Sequence, residues 1–164
     1  MESILQDIEK ALDCGLYYIA LQSTLALPDI CAALESPTGD TTGRQYTAWY
    51  DTNVSSKYNI ALTGSDCWRF RCSYLHRGST QDTRSSYNRI LFVIPNPMIT
   101  MHNNIINDAL NIDINIFCRM MIEAVRNWQT AAANNENYIR NYPNLIKVYP
   151  NGISPYICGI PVIS

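Results

Sequence analysis

Residues 63–78 read TGSDCWRFRCSYLHRG, and this stretch decides the fold class. Thr63 or Ser65 offers a side-chain oxygen to cap a helix, and Asp66 falls in the first turn, where the helix dipole favours an anion. Trp68, Cys72 and Leu75 follow at helical spacing as an apolar stripe. Gly78 ends the pattern, because glycine tolerates the left-handed conformation that commonly follows a helix. The spacing therefore predicts a helix that runs to about residue 76.

Working outward, the same period recurs on both sides. Ile4, Leu5, Ile8, Ala11, Leu12, Leu16, Ile19 and Ala20 predict a long first helix over 2–23, with Gly15 inside it. Leu27-Pro28-Asp29 restarts a second helix with proline in its first turn. That helix ends in the loop cluster Ser36-Pro37-Thr38-Gly39-Asp40. A third fits residues 44–54, with Tyr46, Trp49 and Tyr50 as its bulky face. Downstream, residues 89–94 are β-rich and Pro95-Asn96-Pro97 ends them. Residues 98–101 read as a partner strand or as irregular chain. Asp113 can cap a last long helix whose apolar row is Ile116, Phe117, Met120, Met121, Ala124, Trp128 and Ala131. The tail from residue 142 carries Pro143, Pro150, Pro155 and Pro161 between short β-like pieces. The fold class is mainly α. One domain over 1–164 holds a helical bundle at about 2–135, a small β insertion at about 87–102, and an irregular, β-like C-terminal tail at 142–164.

Composition narrows the function classes. The chain has 164 residues, 47% apolar and 16% charged, which is a globular composition able to bury a core. A net charge of −2 argues against general nucleic-acid coating. The local balance differs: residues 65–89 hold five of the nine arginines against two aspartates, a balance of +3. The six cysteines contain no C-x-x-C pair, and with only two histidines the chain offers no zinc-ligand spacing. No metal or other cofactor is expected. The N-terminus opens with Glu2, Gln6, Asp7 and Glu9 rather than a basic-then-apolar run, and no apolar stretch is long enough to span a bilayer. A cytoplasmic protein with unpaired thiols and no membrane partner is the expectation.

The chemistry-bearing residues lie in the same window. Arg71 and His76 have four residues between them at the end of the predicted helix. Arginine clamps phosphate through two parallel hydrogen bonds, and histidine moves protons near neutral pH. Residues five apart on an ideal helix rise ~7.5 Å and turn ~140°, so Arg71 and His76 do not share a face. Arg69 precedes His76 by two turns on nearly the same face, ~10 Å away. A two-fold interface that brings two such helices together would make one composite site. RNA supplies its own nucleophile, the 2′-hydroxyl. His76 is the candidate base or acid, Arg71 with Arg69 or Arg77 the candidate stabiliser of phosphorane charge, and Ser73 or Tyr74 the candidate to orient the phosphate. His102, in Met101-His102-Asn103-Asn104, reads as a surface residue.

The Arg71-to-His76 spacing, on a late helix of a helical bundle and followed closely by Gly78, resembles the R-x4–6-H element of the HEPN (higher eukaryotes and prokaryotes nucleotide-binding) superfamily. The resemblance spans about residues 1–135. It implies that Arg71 and His76 are the motif arginine and histidine. It further implies a homodimeric, metal-independent endoribonuclease that cleaves single-stranded RNA, in a toxin–antitoxin or phage-defence setting. RNA and an antitoxin or other protein are the partners so implied. Active members often carry a polar residue after the motif arginine; here it is Cys72. The alternative on the same fold is a non-catalytic module that binds RNA, a nucleotide or a protein.

Overall fold

The computed structural model describes residues 1–80 and 85–164. It is mainly α with small sheets. Helix α1 (Glu2–Asp13) and helix α2 (Tyr17–Glu35) are separate elements. The break falls at Gly15, not at Leu27-Pro28. Gly15 takes φ +70°, its N–H bonds the Leu12 carbonyl at 3.0 Å, and the Leu16 N–H bonds Ala11 at 2.8 Å. Those paired bonds make a Schellman cap, which turns the chain back on itself. Pro28 lies inside α2 and is buried there.

Helix α2 is apolar on nearly all sides, and such a helix belongs in the middle of a bundle. Its buried residues include Ala20, Leu21, Leu25, Leu27, Cys31 and Leu34. It packs against α1, α3 (Gly43–Tyr50), α5 (Gly64–Arg77), α6 (Ile114–Ala132) and α7 (Glu136–Asn141). Helix α3 begins with a capping box between Thr42 and Gln45 and continues through a π-helical turn, Asp51–Ser55, into the short α4 (Ser56–Tyr58). Tyr46, Trp49 and Tyr50 are all buried, as their spacing predicts.

The sheet follows α5. Strand β1 (Arg89–Val93) pairs in parallel with β3 (Ala109–Asp113), and β3 pairs antiparallel with β2 (Asn104–Ile106). Asn107 and Asp108 both take positive φ, the signature of a two-residue type I′ hairpin. The strands thus extend to Asp113, beyond the stretch read as β-rich in the sequence. Asp113 ends β3 and caps α6 by accepting the Ile116 N–H at 3.0 Å. Phe92 of β1 joins the sheet to two helices, with ring centroids 4.8 Å from Phe70 of α5 and 5.1 Å from Phe117 of α6.

Helix α6 is tied to α1 by Arg126, which meets Glu2 at 2.7 Å and Glu9 at 2.9 Å. Helix α7 closes the far end: the Asn141 side-chain amide donates to the carbonyls of Leu34 and Ser36, at 3.1 and 2.8 Å, where α2 runs out of partners. The tail forms two small antiparallel pairs, β4 (Val148–Tyr149) with β7 (Val162–Ile163) and β5 (Gly152–Ile153) with β6 (Ile157–Cys158). Among the described residues no helix is long and apolar enough to cross a membrane.

Candidate functional site

Helix α5 carries every candidate site residue, so its anchoring fixes their directions. Thr63 caps it, accepting the Asp66 N–H at 3.1 Å and donating to the Asp66 carboxylate at 2.8 Å. The Asp51 carboxylate accepts the Gly64 N–H at 2.7 Å. Asp66 is buried and also accepts the Ser86 N–H at 2.9 Å and the Ser85 hydroxyl at 3.3 Å. Burial pushes its carboxyl up, but the hydrogen bonds from Ser86, Thr63 and Ser85 prevail and hold it below the usual carboxylate range. At the other end Gly78 takes φ +61° and stops the helix.

The inward face is Cys67, Phe70 and Ser73, not the stripe of Trp68, Cys72 and Leu75. Phe70 is drawn in by Phe92, and Cys67 lies 3.3 Å from the buried Tyr46 hydroxyl. Burial raises the Cys67 thiol to about 12, so it is no nucleophile at neutral pH. Trp68, Cys72 and Leu75 are half-buried, and Trp68 also packs against the core, its ring centroid 5.0 Å from that of the buried Tyr46. Trp68 packs on the Gly43 backbone: a Cβ on Gly43 would come within 2.8 Å of the indole.

The candidate residues separate accordingly. Arg71 turns toward α2, where its Nη2 lies 2.7 Å from the Asp29 carboxylate, and its guanidinium sits 5.1 Å from the Trp68 ring centroid. Burial pushes the Asp29 carboxyl up, against the opposing pull of Arg71. His76 is exposed in the last turn. Among the described contacts no hydrogen bond or ion pair joins Arg71 to His76. Ser73 is buried, and its hydroxyl accepts from Arg77 at 2.7 Å. Tyr74 also faces inward, stacked on Phe70, with its hydroxyl donating to the Tyr18 carbonyl at 3.4 Å. Arg69 has interactions of its own.

His76 instead shares a face with Ser65, Arg69 and Cys72, since spacings of four, three and four residues stack on an α-helix. That face borders an open groove of about 590 Å³ between α3 and α5, lined by Arg44, Thr47, Ser65, Trp68, Arg69 and Cys72. Two arginines flank it, and no carboxylate lines it among the described residues. Arg44 and Asp29 are the residues that sequence reasoning missed. Arg44 lies twenty-five residues before Arg69 and outside the basic window. Only its place one residue after the glycine that receives Trp68 brings it to α5.

The second histidine, His102, is half-buried rather than at the surface, and its Nδ1 has no hydrogen-bond partner. Burial lowers its pKa against the attraction of Asp113. Among the described residues no three His, Cys, Asp or Glu side chains gather as metal ligands. Comparison with known proteins finds no family model that matches the chain, no similar curated protein and no similar solved structure.

Proposed function

We propose that this chain is a HEPN-like, metal-independent endoribonuclease, with its site on the outer face of α5 and completed by a second copy. The observation that carries this reading is His76, exposed at the end of α5 in line with Arg69 and the arginine-flanked groove. Single-stranded RNA laid along that face would present its phosphates to Arg44 and Arg69. An imidazole nitrogen of His76 takes the proton of a 2′-hydroxyl. The 2′-oxygen then attacks the adjacent phosphorus, and the bond to the 5′-oxygen breaks. The guanidinium groups stabilise the charge that builds on the phosphorane oxygens. The leaving 5′-oxygen takes a proton from the second copy's imidazole, giving a 2′,3′-cyclic phosphate and a free 5′-hydroxyl.

A specific observation also favours the non-catalytic module. Arg71, the motif arginine that the HEPN resemblance implies, already holds the half-buried Asp29. In this second reading the same face binds RNA, a nucleotide or a protein without cleaving anything.

One experiment separates the two. Purified protein is incubated with labelled single-stranded RNA in excess EDTA, beside His76→Ala. Cleavage that survives the chelator and vanishes in the variant is the expected result. RNA that is bound and left whole supports the binding module, and equal cleavage by His76→Ala refutes the catalytic role.

A further inference from the structure

On the other side of α5, facing away from His76, lies a cavity of about 410 Å³. Its floor is Leu21 of α2, Phe70 of α5, Ile90 of β1 and Ile114 of α6, all buried. Tyr17, Tyr74 and Phe92 add three more rings to that of Phe70, and Tyr18, 79% exposed, stands at the edge. Leu91 and Ile94 stand at the mouth, 39% and 58% exposed. Among the described residues no charged side chain lines it.

These features select a class of ligand. The volume falls within the range of small-molecule sites. An apolar wall without partner atoms forfeits dispersion contacts, and a dry apolar cavity readily takes ring-sized guests. A charged guest would lose its hydration with no counter-ion in return from the described lining residues. Rings on several walls offer edge and offset-stacked faces to a flat π-system, more than they offer a flexible aliphatic chain. The polar side chains of the lining are few, Thr80 and the tyrosines, with the Tyr74 hydroxyl already donating to the Tyr18 carbonyl. We infer that this cavity is a binding site for an uncharged, planar aromatic molecule. The occupant touches Phe70 and Tyr74 on the inner face of α5, and so holds from behind the helix that carries Arg69, Cys72 and His76 on its outer face.

The ring can come from a free heteroaromatic compound or from the base of a nucleoside. The test titrates indole, adenosine, adenosine monophosphate and hexan-1-ol into the 15N-labelled full chain and follows amide shifts. Indole or adenosine should saturate with a Kd of about 1 mM or tighter. The shifts should centre on Tyr17, Leu21, Phe70, Tyr74 and Phe92. Adenosine that binds at least as well as its monophosphate identifies a base as the source, and indole alone identifies a free heteroaromatic. Leu91→Trp, which fills the mouth, should weaken the ring about tenfold. Ile94→Trp is the second variant in case the first disturbs β1. The inference is overturned if no ring saturates, if hexan-1-ol binds as well as indole, or if both tryptophan variants bind like the wild type.

Discussion

Removing the Arg71 side chain should cost stability before it costs any chemistry. The pair with Asp29 is 2.7 Å apart, with side-chain exposures of 20% and 14%. Breaking a fully buried pair from one side costs about 3–5 kcal/mol, and an exposed pair contributes about 0–1. This pair lies between those limits. Arg71→Ala also gives up its contact with the Trp68 ring, about 0.5–1 kcal/mol at a partly exposed site. The expected loss is about 2–3 kcal/mol, or roughly 4–12 °C in Tm for a domain of this size. A double-mutant cycle with Asp29→Asn isolates the ionic part, expected at about 1–2 kcal/mol by urea denaturation at pH 7. Acid should shrink that coupling. Burial raises the folded Asp29 pKa, so ionising this group opposes folding as pH rises through that value, and Arg71 offsets the opposition. Once Asp29 is protonated, Arg71 has no charge left to offset. The shrinkage should therefore begin above the ordinary aspartate value of about 3.9. A coupling below about 0.5 kcal/mol at pH 7, or one that is unchanged by acid, refutes the reasoning.

The glycines at the two ends of α5 should respond differently to alanine. Gly64→Ala puts a Cβ within 2.5 Å of the Thr47 carbonyl, backbone that cannot rotate aside, and should cost about 1–3 kcal/mol in urea denaturation. Gly78→Ala meets nothing within 4 Å but forces a side chain at φ +61°, and should cost about 1 kcal/mol; equal losses at the two sites would contradict the packing account. Asp66→Asn should destabilise by about 1–3 kcal/mol at pH 7. Asp66 is held below its usual pKa in the fold, so its contribution is present above the unfolded value and is lost as pH falls through the folded one. The variant's stability should therefore fall less steeply in acid, as read from Tm between pH 2 and pH 6.

The bundle was legible because its signals are local. Thr63, Gly78 and Asp113 each perform the capping or stopping role that their chemistry suggests. The first helix was misdivided because proline looked like the stronger break. Pro28 is in fact accommodated within α2, while Gly15 supplies the left-handed residue a Schellman cap needs. Strand β3 escaped notice among asparagines and aspartates, although Asn107-Asp108 is itself a hairpin signal. Helix α7 is six residues long and is anchored by capping α2, a tertiary contact with no trace in its own sequence.

The rotation of α5 about its axis is what its own sequence leaves open. Its sequence is apolar on two sides, with Trp68, Cys72 and Leu75 on one and Cys67, Phe70 and Tyr74 on the other, and periodicity cannot choose between them. Residues distant in sequence make the choice: Phe92 packs on Phe70, whereas Tyr46 touches both sides, Cys67 through its hydroxyl and Trp68 through its ring. Once that face is inside, Arg71 points at Asp29, Ser73 is buried against Arg77, and Tyr74 closes on Tyr18. His76 is left exposed, and the half-buried Arg69 lines the groove with Arg44. The proposed anion contacts therefore move from Arg71 to the groove between α3 and α5. Arg71 ties α5 to α2 through Asp29.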